Sequence, residues 1–142
     1  MSKALLMDTH IWLWFALGVQ QKLNDKAVAI IEAAALEGRL YVSVISVWEI
    51  SLLVAKGRIH LGQPTSAWIT RALALRGLKL VPLEPEFAIE SNQLPGEFHQ
   101  DPVDRMLVAT ARCRDLTLIT RDQKILHYAE QGYVVAIDIQ QE

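Results

Sequence analysis

Short apolar runs that scarcely alternate with polar residues set the tightest limit on what this chain can become. Ala4–Met7, Leu40–Ser43, Leu78–Leu83 and Thr117–Thr120 are four of them, and Tyr133–Ile137 adds a fifth. Strands with one wet face alternate, whereas strands covered on both faces do not, so these runs predict a sheet buried on both sides. The gaps between them carry helical spacing. Ala27, Ile30, Ile31 and Ala34 fall at i, i+3, i+4 and i+7, with Gly38 placed to end the helix. Ile45, Trp48, Leu52 and Ala55 form a second stripe, which puts Trp48 in the core. Trp68, Ile69, Ala72 and Leu73 form a third, after "QPTS" with its proline and capping hydroxyls. Val103, Met106, Leu107, Thr110 and Ala111 form a fourth. Strands alternating with helices predict an α/β three-layer sandwich, a parallel sheet of four to five strands flanked by helices, because parallel neighbours need helical crossovers. A single domain over residues 1–142 accommodates it, with "LPGEFHQ" at residues 94–100 as the most irregular stretch.

Composition narrows the function classes. Hydrophobic residues make up 51% of the chain, enough for a substantial core. Lys plus Arg is 14 and Asp plus Glu is 16, so the net charge is 14 − 16 = −2. A nucleic-acid ligand would then need a local basic patch or bound cations, since no broad cationic surface exists. Cys113 is alone, which excludes an internal disulfide and suits a structural thiol in a reducing compartment. Asp8 interrupts the first apolar run too early for a secretory signal, and no uncharged run reaches the ~18 residues of a membrane span. A cytoplasmic protein without membrane contact is expected.

Four acids gather the chemistry. In an open parallel sheet, ligands sit outside the carboxyl ends of the strands. Asp8 directly follows the first strand, Asp122 lies just after the fourth, Asp104 starts the helix that feeds the fourth, and Glu49 lies on the helix after the second. They meet only if the strand order brings strands one, two and four together. Each also has a structural reading: Asp8 and Asp122 as helix caps, and Asp101, Pro102 and Asp104 as cap, first residue and capping-box acid. Glu49 resists such a reading, because it sits within the apolar run "YVSVISVWEISLLVA" where an unpaired charge is costly. Converging carboxylates are hard ligands that suit Mg²⁺ or Mn²⁺, and no His pair is spaced for zinc. One or two such ions can activate water and stabilise an in-line phosphodiester cleavage.

The segments "LLMDTHIWLW", "YVSVISVWEISLLVAKGRI", "LPGEFHQDPVDRMLVATA" and "LTLITRD" resemble, in order, the motifs of PIN-domain nucleases, and most of all the VapC-like toxins of toxin–antitoxin pairs. That resemblance runs from about Leu5 to Tyr133. It implies an Mg²⁺- or Mn²⁺-dependent ribonuclease with a tetrad of Asp8, Glu49, Asp104 and Asp122. Asp8, Asp104 and Asp122 would be the main metal ligands, with Glu49 completing the site and orienting the attacking water. Asp101 takes the extra acid of the "HxDPxDR" variant, with His99 and Arg105 beside it. Thr120, and Thr9 next to Asp8, are expected to support the acids, and Arg105 and Arg121 to touch RNA or orient a carboxylate. An antitoxin that blocks the acidic cleft and a homodimer are also implied. Trp12 and Trp14, two residues apart, cannot share a helix face, and either can serve an interface or the core. His10 fits a structural role or a hydrogen bond near the site.

Two other functions compete. A catalytically silent PIN-like scaffold would only bind RNA or protein. A phosphoaspartate phosphatase would want D-x-D at the first strand, where the chain has Asp8-Thr9-His10.

Overall fold

A computed structural model describes residues 3–140; Met1, Ser2, Gln141 and Glu142 of the expected 1–142 domain lie outside the described residues. Five strands alternate with seven helices: β1 (Leu5–Met7), α1 (Thr9–Leu17), α2 (Asp25–Leu36), β2 (Leu40–Ser43), α3 (Val44–Ala55), α4 (Thr65–Leu73), β3 (Leu78–Val81), α5 (Pro85–Ser91), α6 (Pro102–Arg114), β4 (Thr117–Ile119), α7 (Gln123–Glu130) and β5 (Ala136–Ile137). All four strand pairings are parallel, and the order is β3-β2-β1-β4-β5. Strands one, two and four are therefore adjacent, as a shared acidic edge requires. Winding reverses beside β1, which has β2 on one side and β4 on the other, and that switch point is where a crevice opens in such sheets.

Period-two geometry divides the interior into two cores. Leu5, Met7 and Ile119 face one side and pack with Ile11 and Trp12 of α1, Ile31 of α2, Ile50 of α3 and Trp68 of α4. Leu6 and Leu118 face the other and pack with Leu107 and Val108 of α6 and Ile125 and Tyr128 of α7. The expected three layers follow. Each fully buried Leu or Ile contributes about 1.5–3 kcal/mol, which lets strands of only two to four residues hold their places.

Helix starts are set locally. Asn24 accepts from Ala27 N at 2.8 Å and starts α2, and Ser43 accepts from Ile45 N at 3.0 Å and starts α3. Expected capping hydroxyls before α4 do no such work: Pro64 is its cap, without a side-chain hydrogen bond. The Ile45–Trp48–Leu52–Ala55 stripe is corrected too. α3 buries Ser46 and Ile50 instead, and Trp48 is 53% exposed. Cys113 is half-buried on α6, and burial, then Glu86 and Glu90, push its thiol up, away from reactive thiolate. No helix among the described residues is long and apolar enough to cross a membrane.

Candidate active site

Asp8 ends β1 and begins α1. Its amide continues the ladder to Ile119 O at 3.0 Å, while Oδ1 accepts from Thr9 N at 2.7 Å. Oδ2 accepts from Thr120 Oγ1 at 2.6 Å, and the same hydroxyl oxygen accepts from Asp122 N at 3.0 Å. Thr120 therefore ties together two acids that lie 114 residues apart in sequence, 122 − 8. Asp122 caps α7 through Lys124 N at 2.8 Å, and Asp101 caps α6 through Asp104 N at 3.0 Å. Capping and site-building thus coexist on the same carboxylates. Asp8, Asp101 and Asp122 stand at the positive ends of α1, α6 and α7, which offset part of their charge.

Glu49 arrives from α3. Thr9 Oγ1 and Ser46 Oγ meet at 2.8 Å, both buried, and pin the start of α1 to α3. That contact holds the two helices carrying Asp8 and Glu49 in register. Asp8, Glu49, Asp101, Asp104 and Asp122 line one cavity of about 390 Å³, together with His10, Ile11, Trp14 and Arg121. Asp101, Asp104 and Asp122 also border a neighbouring hollow with His99 and Lys124.

Electrostatically the cavity is loaded. Among the described residues no Lys or Arg lies within salt-bridge distance of Asp8, Glu49, Asp104 or Asp122. Burial pushes the Asp104 carboxyl up to about 8, and the charges of Asp8, Asp101, Asp122 and Glu49 all add to the push. Burial also raises Asp8 against the pull of the Thr120 and Thr9 hydrogen bonds. Glu49 is raised by burial first, with Thr9 and His10 pulling it back and Asp8 and Asp101 pushing it further. A set of acids that cannot all ionise together is one that a cation would stabilise.

The donor set suits a hard divalent ion, since it is all carboxylate oxygen facing one hollow. Among the described residues, no three such side chains close into a ready-made cage. Mg²⁺ does not need one, because it keeps several waters and takes only one or two carboxylates directly. His99 Nε2, fully buried, lies 3.0 Å from Asp104 Oδ2, and among the described residues it has no hydrogen-bond partner. It borders the neighbouring hollow rather than the acid cavity itself.

Arg105 departs from expectation. Its guanidinium donates to Ser91 O at 2.8 Å, Phe98 O at 2.9 Å and His99 O at 3.1 Å, so it clamps the 92–100 loop and, among the described residues, pairs with no carboxylate. Tyr128, whose hydroxyl donates to Pro95 O, holds the same loop, and Gly96 lies so close to the Tyr133 ring that a Cβ would sit 2.6 Å from it. The clamp presents His99 and Asp101. Arg121 does line the acid cavity, at its exposed rim. His10 and Trp14 are the lining residues that spacing undersold. Their signal was the cap at Asp8, which starts α1 at Thr9 and puts residues 10 and 14 on one face.

Comparison with known proteins bears on family and fold. Residues 5–131 match the PIN domain model. The chain is 31% identical over 121 residues to ribonuclease VapC22 of Mycobacterium tuberculosis, covering 85% of this chain and 88% of that protein. In structure it resembles FitAcB from Neisseria gonorrhoeae, with TM-score 0.69, 25% identity and coverage of 97% and 99% of the two chains. It also shares the fold of the VapBC2 complex from Rickettsia felis, bound to a promoter DNA fragment, with TM-score 0.70, 14% identity and coverage of 94% and 97%.

Proposed function

This chain belongs to the PIN-domain family, in the VapC branch, and from that premise we propose that it is a divalent-metal-dependent endoribonuclease acting as the toxin of a toxin–antitoxin pair. One observation carries the reading: Asp8, Glu49, Asp104 and Asp122, from four separate stretches of chain, line one cavity, and among the described residues no Lys or Arg lies within salt-bridge distance of them.

Asp8, Asp104 and Asp122 would hold Mg²⁺ or Mn²⁺. Such an ion, when bound, draws phosphate to an acidic cleft and lowers the pKa of a coordinated water. Thr9 N and Thr120 Oγ1 hold the two carboxylate oxygens of Asp8, at 2.7 and 2.6 Å, and Thr120 Oγ1 also accepts from the amide of Asp122, whose side chain lines the same cavity. Glu49, half-buried on α3, lines the same cavity as Asp8 and would orient the attacking water and take up its proton. Arg121, beside Asp122, would meet a non-bridging phosphate oxygen. With net charge −2, the protein relies on that local arrangement rather than on a general attraction for RNA.

A protein partner is part of the proposal. Trp12, Phe15, Leu17, Trp68 and Leu75, with Arg71 beside them, line a mainly hydrophobic cleft of about 520 Å³ between the C-terminal part of α1 and α4, and Leu17 is 42% exposed. That surface supports capture by an antitoxin. A homodimer remains part of the reading on the strength of the family. A phosphoaspartate route has no support, because residues 8–10 lack the second aspartate.

Pure protein incubated with single-stranded RNA and Mn²⁺ or Mg²⁺ is expected to cleave it, to stop on addition of EDTA, and to lose cleavage in Asp8→Asn. RNA binding without metal-dependent cleavage would instead make the chain a silent scaffold.

A further inference from the structure

The acid cavity has an aromatic wall that hydrolysis of a phosphodiester does not use. His10 and Trp14 sit four residues apart on α1, so they project from the same face, and their ring centroids are 5.7 Å apart at an interplanar angle of 48°. Both line the cavity that holds Asp8 and Glu49. The helix sorts its aromatics: Trp12, on the opposite face, is buried against Trp68 at a centroid distance of 5.6 Å. Trp14 is only half-buried; it leans on the core and leaves the rest of the indole to the cavity. A ring anchored that way is ordered before any ligand arrives, so stacking on it costs little rotamer entropy.

What covers the indole face is a movable cation. Lys22 Nζ lies 5.4 Å from the Trp14 ring centroid, and Lys22 is an exposed residue. Its backbone carbonyl also accepts from Nη1 of Arg121, a residue of the cavity lining, at 3.4 Å. Aromatic faces interleaved with basic groups are how single-stranded nucleic acid is held without sequence readout: bases stack, and cations follow the backbone. At about 390 Å³ the cavity is in the size range that takes a small ligand, with room for one nucleotide.

We propose that His10 and Trp14 form a nucleobase-stacking subsite beside the acid cluster, with Lys22 swinging off the indole to meet phosphate. The proposal rests on the nuclease reading and adds to it a sequence-tolerant hold on the base next to the cleaved bond. The indole is the main platform and His10 its angled flank.

Adenosine 5′-monophosphate and ribose 5-phosphate separate base from phosphate, and neither contains a phosphodiester to be cut. In Mn²⁺, calorimetric titration of the full chain is expected to show the nucleotide binding roughly tenfold more tightly than the sugar phosphate. Trp14→Leu should erase that gap while leaving ribose phosphate affinity in place, and Trp14→Phe should retain most of it. Fluorescence gives a second reading should Trp14→Leu fail to fold: the nucleotide should quench wild-type emission but not that of the three tryptophans left in Trp14→Phe, 4 − 1. Equal affinity for the two ligands, a gap unchanged in Trp14→Leu, quenching unchanged in Trp14→Phe, or no saturable nucleotide binding would each overturn the subsite. Those results leave the nuclease reading standing wherever the wild type still cleaves RNA with Mn²⁺, and loss of that cleavage is the separate result that removes it.

Discussion

The two ends of the same sheet handle charge in opposite ways. At the amino ends of the strands, Lys3 pairs with Asp115 at 3.4 Å, and Arg39 pairs with Glu37 while donating to Lys3 O at 2.6 Å. Those groups balance one another, and Lys3 and Asp115 are mostly exposed, where such pairs are worth about 0–1 kcal/mol. At the carboxyl ends, Asp8, Glu49, Asp104 and Asp122 draw together with no Lys or Arg in pairing distance among the described residues. Nothing in backbone geometry demands that asymmetry. One end is built for solubility and the other stores electrostatic cost that a proton or a bound cation relieves.

The sharpest way to break this contrast is to remove charge at each end in turn. Asp8→Asn, Asp104→Asn, Glu49→Gln and Asp122→Asn should each lower metal-dependent RNA cleavage by at least roughly a hundredfold, comparable to the loss of one transition-state contact. Glu37→Gln, at the opposite end, should leave cleavage unchanged, and steady-state kinetics on one oligonucleotide compares them. A comparable loss in Glu37→Gln would dissolve the distinction between the two ends.

Thr120→Val comes next. It strips Asp8 Oδ2 and Asp122 N of their shared hydroxyl partner inside the protein, which should cost about 1–3 kcal/mol in a denaturant melt and reduce cleavage about 10–100-fold. Thr120→Ser, which keeps the hydroxyl, should recover most of both.

A pH series sharpens the comparison more gently. Folded Asp104 keeps its proton up to about 8, whereas unfolding returns it to its ordinary value of 3.8. The folded state therefore binds more protons at this site across that window, so the contribution of Asp104 to the stability of the metal-free protein is fully present below about pH 4 and falls as pH rises towards 8. Asp104→Asn should flatten the decline in thermal melts, by roughly 2–4 °C for each kcal/mol of repulsion removed, and Mn²⁺ should flatten it in the wild type. An unchanged slope in Asp104→Asn would show that the crowding is not what the fold stores. The smallest effect belongs to the balanced end: Lys3→Ala should move the melting point barely, consistent with its exposed pair.

Much of this was legible in the residues alone. Unalternated strands implied a sheet covered on both faces, and Leu6 packing opposite Leu5 and Met7 is that cover seen in detail. The acids stood out because four of them recur just beyond strands or at helix starts. Whether they meet depended on strand order, which no local pattern encodes and which long-range packing decides. Other features were hidden for definite physical reasons. α3 is apolar nearly all round, so periodicity cannot say which side faces in, and Trp48 falls on the outer one. α5, at seven residues, is too short to display a repeat and owes its place to packing on α6. Arg105 binds backbone carbonyls of the 92–100 loop, and carbonyls carry no sequence signature. Trp14's place in the cavity depended on where α1 begins, a matter of one residue.

Crystals soaked in Mn²⁺ and measured for anomalous scattering put the central claim at most direct risk. The account predicts a peak in the cavity bounded by Asp8, Asp104, Asp122 and Glu49, with carboxylate oxygens at about 2.0–2.6 Å. A cavity free of anomalous density at saturating Mn²⁺, or a peak held only by other residues, would contradict it.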